Sequence, residues 1–178
     1  MSLAALLALA LTLASLEWDV PFGSSRPLAR YTDGDISFSY PKGWHTATAS
    51  GVVGVPGSGG AFVLSSQGLL PGYALLAHPL VPGGVLVTWS LEPPDPPAQA
   101  ASSKTSPTTI GGRPATLADT QGDCSGLDAD NTDQSITAIV EGRWGHRMEA
   151  CLRGPGLAQV KAQVQAMLRS VSFRKASR

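Results

Sequence analysis

Charge, histidine and cysteine are all scarce in this sequence, and each scarcity narrows the possible functions. Lys+Arg and Asp+Glu number 13 each, so the formal net charge is zero. That balance argues against a nucleic-acid partner, because phosphate binding needs a basic stripe and none is visible. The charged fraction is 15%, against roughly 25% in an ordinary soluble domain. Gly, Pro, Ser, Thr and Ala fill the gap and make loops that are polar but uncharged, a composition common in envelope and secreted proteins. The 3 histidines, His45, His78 and His146, are dispersed with no H-x-x-x-H spacing. With no C-x-x-C either, zinc has no support and no metal ligand or cofactor is expected.

Long apolar runs are also rare, and the exception is informative. Residues 3–14 read LAALLALALTLA and continue through Ser15 to Leu16. That is short of the roughly 20 residues a spanning helix takes, and it suits the core of a signal peptide. Thr12-Leu13-Ala14 offers a small-x-small cleavage site, yet only Met1 and Ser2 precede the run, without Lys or Arg. The expectation is an export segment or membrane anchor over 1–16, with either the true start upstream or a longer anchor of which this is the visible end. The run is apolar on every face, which disfavours a buried amphipathic helix. A linker is expected over 17–34, a folded domain over 35–174 and a tail over 175–178.

Inside the domain, Ile36, Phe38 and Tyr40 alternate with Asp35, Ser37 and Ser39, the pattern of a strand with one buried face. Pro41-Lys42-Gly43 is a turn, and residues 44–49 are expected to return as the second strand of a hairpin. The Gly- and Pro-rich stretch 51–60 reads as a loop, and 61–65 and 85–91 read as strands. On the latter, Val85, Val87, Trp89 and Leu91 share one face. The 4 prolines within 92–99 exclude a central strand or a helix, and the Ser/Thr-rich run to Thr109 is expected to extend that loop. Ile110-Gly111-Gly112-Arg113 turns the chain into a strand reaching about Thr120. Strands over 135–140 and 144–152 form a hairpin, and a helix with Leu157, Val160, Val164, Met167 and Leu168 on one stripe follows. Ser172-Phe173 offers a short final strand. The result is an α+β fold, an antiparallel sheet with a packed C-terminal helix.

Few motifs could carry chemistry. Gly122-Asp123-Cys124-Ser125-Gly126 matches a nucleophile elbow with cysteine for serine, and Asp130 and His146 follow in hydrolase order. The elbow needs a helix immediately after the nucleophile, and a polar loop follows instead, so the match reads as chance. Asp123, Asp128, Asp130 and Asp133 cluster, but Asp133 stands where an EF-hand loop needs Gly and Ile139 where it needs Glu. An exposed acidic loop is expected there. Pro56–Gly60 fits neither the elbow nor a phosphate loop. His146 shares a face with Trp144 and Met148 and reads as a core histidine, and Trp18, Trp44, Trp89 and Trp144 read as packing anchors. The 2 cysteines, Cys124 and Cys151, are expected to pair, because an export signal places them where disulfides persist.

The combination FSYPKGW, IGGRPA, a hairpin ending in ACLRG and a helix ending in MLRSVSF resembles the PsbP-like superfamily. The resemblance implies an α/β/α sandwich and a non-enzymatic accessory or binding role, with no functional residue carried over. The expected function is an extracytoplasmic accessory domain with a membrane-associated or envelope protein partner. The alternatives are a cysteine hydrolase using Cys124 and a structural envelope interaction protein.

Overall fold

The computed structural model describes residues 27–49, 61–69, 79–92, 105–122, 124, 132–142 and 145–174. Ten strands and one helix follow in chain order: β1 (Leu28–Asp33), β2 (Ile36–Pro41), β3 (His45–Ala49), β4 (Ala61–Ser65), β5 (Val85–Glu92), β6 (Thr105–Ile110), β7 (Arg113–Gln121), β8 (Gln134–Val140), β9 (Gly145–Leu152), α1 (Leu157–Arg169) and β10 (Ser172–Phe173). They build a seven-stranded sheet in the order β3-β4-β5-β9-β8-β7-β6 and a three-stranded sheet in the order β1-β2-β10. Every pairing is antiparallel. The architecture is α+β, as the strand patterns and closing helix predict. Among the described residues α1 is the one helix, so they supply a single helical layer and not the two of an α/β/α sandwich. No helix among them is long and apolar enough to cross a membrane, and the apolar run 3–14 lies outside them.

One face of the large sheet carries the main core. Val85, Val87 and Trp89 on β5 pair with Leu152, Ala150 and Met148 on β9, and all six are buried. Ile36 and Phe38 from the small sheet, with Val160, Val164, Met167 and Leu168 from α1, close over this face. Phe38 is the hinge pin of that closure, with its ring 5.3 Å from Trp89, 6.0 Å from Phe62 and 5.1 Å from Tyr31. Tyr31 stacks on Phe62 at 3.6 Å and donates its hydroxyl to Asp33. Burial and the Asp33 carboxylate push the Tyr31 phenol up to about 12. Ser170, capping the end of α1, accepts the Ser39 amide at 2.8 Å, and Lys161 on α1 pairs with Asp119 on β7. These contacts tie the helix to both sheets. The opposite face of the large sheet holds a second cluster of Val63, Leu80, Leu86, Cys124 and Cys151. Strand β5 is therefore buried on both faces at Val85–Val87, where simple alternation predicts one.

Three expectations are corrected. Residues 17–34 are not all linker: Leu28–Asp33 is strand β1, paired along its length with β2. Leu28 is 54% exposed and most of its neighbours face solvent, so the strand carries no buried stripe for the sequence to display. Strands β2 and β3 do not pair. Both edges of β2 are occupied, by β1 and β10, and after the Pro41–Trp44 turn β3 joins β4 in the other sheet. The Ser/Thr-rich run does not remain a loop, since Thr105–Ile110 pairs with β7 as the sheet's edge strand. The Gly/Pro loop at 51–60 and the proline cluster after Glu92 lie outside the described residues.

The β6–β7 turn is built on Gly111 (φ 58°) and Gly112 (φ 79°), the left-handed pair that a two-residue hairpin demands. The two glycines differ in surroundings. A Cβ on Gly111 would lie 2.6 Å from the Phe173 ring and 3.2 Å from the Val171 carbonyl, whereas one on Gly112 meets nothing within 4 Å. Gly111→Ala is therefore expected to cost about 2–4 kcal/mol and Gly112→Ala about 1 kcal/mol, since only the former adds overpacking to backbone strain. Urea melts of the two variants give the comparison, and equal losses would refute the role given to Phe173.

Candidate functional site

Cys124 and Cys151 are joined, with S–S at 2.07 Å and Cα atoms 5.8 Å apart. The fold brings them together through the end of β7. The Gly122 amide donates to the Asp133 carbonyl at 3.1 Å, and the Cys124 amide donates to Thr132 Oγ1 at 2.9 Å. Asp133 in turn donates its amide to Leu152 next to Cys151, at 2.9 Å, and accepts the Gly154 amide on its carboxylate at 2.7 Å. Cys124 thus sits beneath the end of β9 with its backbone fixed. Asp133 is an exposed turn residue with a structural bond, and Asp123, Asp128 and Asp130 lie outside the described residues.

This geometry bears on the elbow motif. Cys124 has no free thiolate to act as nucleophile. His146 and Cys151 are five residues apart on β9, and side chains alternate along a strand, so they occupy opposite faces of the sheet. The histidine is therefore separated from the sulfur by the sheet itself. His45 is exposed and His78 lies outside the described residues, so the described histidines do not converge.

His146 does have polar company on its own face. Its Nε2 lies 3.3 Å from Asp35 Oδ1, in the β1–β2 turn, while Asp35 Oδ2 accepts Arg113 at 3.0 Å from the start of β7. Phe173 of β10 lies among them, its ring 5.0 Å from the imidazole and 3.9 Å beneath the Arg113 guanidinium. Four elements thus meet at one seam: the small sheet supplies Asp35 and Phe173, and the large sheet Arg113 and His146. The His146 side chain is 5% exposed and that of Asp35 45%, so the seam runs from solvent into the core. His146 Nε2 and Trp89 Nε1 are buried nitrogens without a hydrogen bond among the described residues, and the Asp35 contact is one of proximity, not of hydrogen-bond alignment. An Asp–His pair is the orienting half of a triad. Here, no hydroxyl or thiol among the described residues is hydrogen-bonded to the imidazole, and the carboxylate faces the nitrogen that a base would use. The arrangement does what a latch does: it fastens one sheet to the other.

The sequence identifies His146 as a core residue, but it gives no sign of Asp35, Arg113 and Phe173 as its partners. Those four come together only through the two-sheet closure. The Gly-Gly-Arg turn was the available signal, because it fixes where Arg113 leaves the hairpin.

Burial holds the His146 imidazole below its ordinary range, Asp35 opposing and Arg113 reinforcing the effect. The unfolded chain therefore binds a proton near 6.5 that the folded chain refuses. Stability is full above that value and falls as the pH drops through it towards the lowered folded value. Urea midpoints taken from pH 8 to 5 should show this decline, and His146→Gln should flatten it. A wild-type profile unchanged by the substitution would remove His146 as its source.

No protein-family model matches the chain, and no curated protein matches it either. Among solved structures it is similar to the cyanobacterial PsbP (CyanoP) of Synechocystis sp. PCC 6803, at 14% identity and a TM-score of 0.49, over 85% of this chain and 95% of that one. It is also similar to a protein of Bacteroides thetaiotaomicron VPI-5482, at 12% identity and a TM-score of 0.46, over 82% of this chain and 48% of that one. The chain spans about half the length of that second protein. PsbP is the family that the sequence motifs resemble; the α+β architecture rests on the strand pairing described above.

Proposed function

We propose that this chain is a non-enzymatic accessory or binding domain working outside the cytoplasm, exported or tethered through its N-terminal apolar run, with an envelope or membrane-associated protein as partner. The observation that supports it is the Cys124–Cys151 bond. It ties up the one residue offered as a nucleophile, on the sheet face away from His146, and it belongs to compartments where disulfides persist. The titratable groups that do converge, Asp35, Arg113 and His146, meet where the two sheets close, and the Asp35–Arg113 ion pair joins the sheets there.

A reporter enzyme active only outside the cytoplasm, fused after Arg178, should be active when expressed from the authentic start. Crosslinking in intact envelope should then recover a protein bound to the chain. Activity confined to a cytoplasmic reporter would contradict the location. Esterase turnover lost in Cys124→Ala would contradict the non-enzymatic reading.

A further inference from the structure

We propose that in the reduced chain Cys124, Cys151 and Glu149 form a three-ligand site for a zinc-class divalent cation. This goes beyond the function proposed above and does not depend on it.

Glu149 and Cys151 are two apart on β9 and so project from the same face, the one turned away from the main core. Cys124 reaches that face from beyond β7, its amide fixed by Thr132. One ligand atom from each of the three residues lies within 4.8 Å of the other two. Around a tetrahedral zinc, with bonds of about 2.3 Å to sulfur and about 2.0 Å to oxygen, neighbouring ligands stand about 3.5–3.8 Å apart, so small side-chain rotations suffice once the S–S bond is absent.

The second observation is the carboxylate itself. Glu149 is 8% exposed, and no hydrogen bond or ion pair holds it among the described residues. Glutamate is almost never so buried without a partner, because desolvating its charge is costly. Thr88 and Thr137 flank Glu149 across the strands on the same face, and its carboxylate lies within 4.8 Å of both sulfurs. Val63, Leu80 and Leu86 pack around the two sulfurs, so the sulfur side of the site is apolar. A metal held by two thiolates and one carboxylate would give that carboxylate a partner on this face.

The balance is simple. The chain is made with both cysteines as thiols, so no reductant is required. On binding, the two thiol protons pass to solvent, two S–metal bonds and one O–metal bond form, and a water fills the fourth position. Nothing is oxidised or reduced. The disulfide uses the same two sulfurs, so the oxidised chain has no such site.

The full chain, purified under reducing anaerobic conditions, can be titrated with Co²⁺ while thiolate-to-cobalt charge-transfer absorption is followed. Zn²⁺ competition then gives the zinc affinity, and thermal melts with and without Zn²⁺ give a readout independent of colour. The reduced chain should take up one cobalt per molecule and melt higher with Zn²⁺, while the disulfide form does neither. Glu149→Gln keeps the side-chain shape and should weaken binding by about tenfold or more. Cys124→Ser should abolish the charge-transfer band. The proposal is overturned if the reduced chain shows no charge transfer, including because it is unfolded and Zn²⁺ does not refold it. It is equally overturned if Glu149→Gln binds as tightly as the parent.

Discussion

Cys124→Ser is expected to lower the melting temperature of the oxidised protein by roughly 10 °C. The bond closes a loop across a sequence separation of 27, for which the chain-entropy estimate is about 3–4 kcal/mol. For a domain of this size each kcal/mol moves the midpoint by about 2–4 °C. Cys151→Ser should be worse than Cys124→Ser. Cys151 is fully buried on β9 between Leu86 and Ser135, and a hydroxyl there adds the cost of an unsatisfied polar group to the lost crosslink. Reduction of the parent protein in metal-free buffer should reproduce the Cys124→Ser midpoint. Scanning calorimetry of the parent and the two single variants tests the order, and a Cys124→Ser melt at the parent temperature would show that the bond contributes nothing.

Phe38→Ala is expected to cost about 3–5 kcal/mol, the usual range for a fully buried aromatic whose site cannot collapse. Phe38 has 0% exposure and meets rings from both sheets. In the small sheet the other buried residues are Ile36 and Pro41, while Tyr31, Tyr40 and Phe173 are half-buried. Removing the Phe38 ring should therefore loosen the small sheet before the large one. Hydrogen exchange should show amides of β1 and β2 losing protection ahead of those in β5 and β9. Tyr40→Ala, by contrast, should cost markedly less. Uniform loss of protection across both sheets would contradict the view that Phe38 is the pin between them.

What could be read from the sequence follows burial. Strands β2 and β8 and helix α1 each bury one stripe, as β9 does up to Met148, and a buried stripe writes a period into the chain. Strands β1 and β6 bury almost nothing, so their residues obey no such constraint. Strand β6 even contains Pro107, which looks like a loop residue. The two-residue turn puts Ile110 and Thr108 in hydrogen-bonded pairs with Arg113 and Ala115, which leaves the Pro107 nitrogen pointing outward at the open edge. No donor is needed there, and its absence guards the edge against pairing with another chain. The separation of β2 from β3 was hidden for a different reason. A Pro-Lys-Gly turn reads the same whether the strand after it folds back or leaves for a second sheet, and the choice depends on β10, more than a hundred residues later. The seam of Asp35, Arg113, His146 and Phe173 is hidden in the same way, as its members meet only after both sheets have closed. The cysteine pair was readable from count and compartment, whereas the buried Glu149 beside it was not, because strand alternation alone assigns its face to solvent.

The most direct test of an extracytoplasmic, disulfide-stapled binding domain is peptide mapping under non-reducing conditions, with protein taken from its native compartment and its thiols blocked at lysis. The account predicts a single crosslinked peptide pair joining Cys124 to Cys151. Two blocked, unlinked cysteines in that material would contradict it.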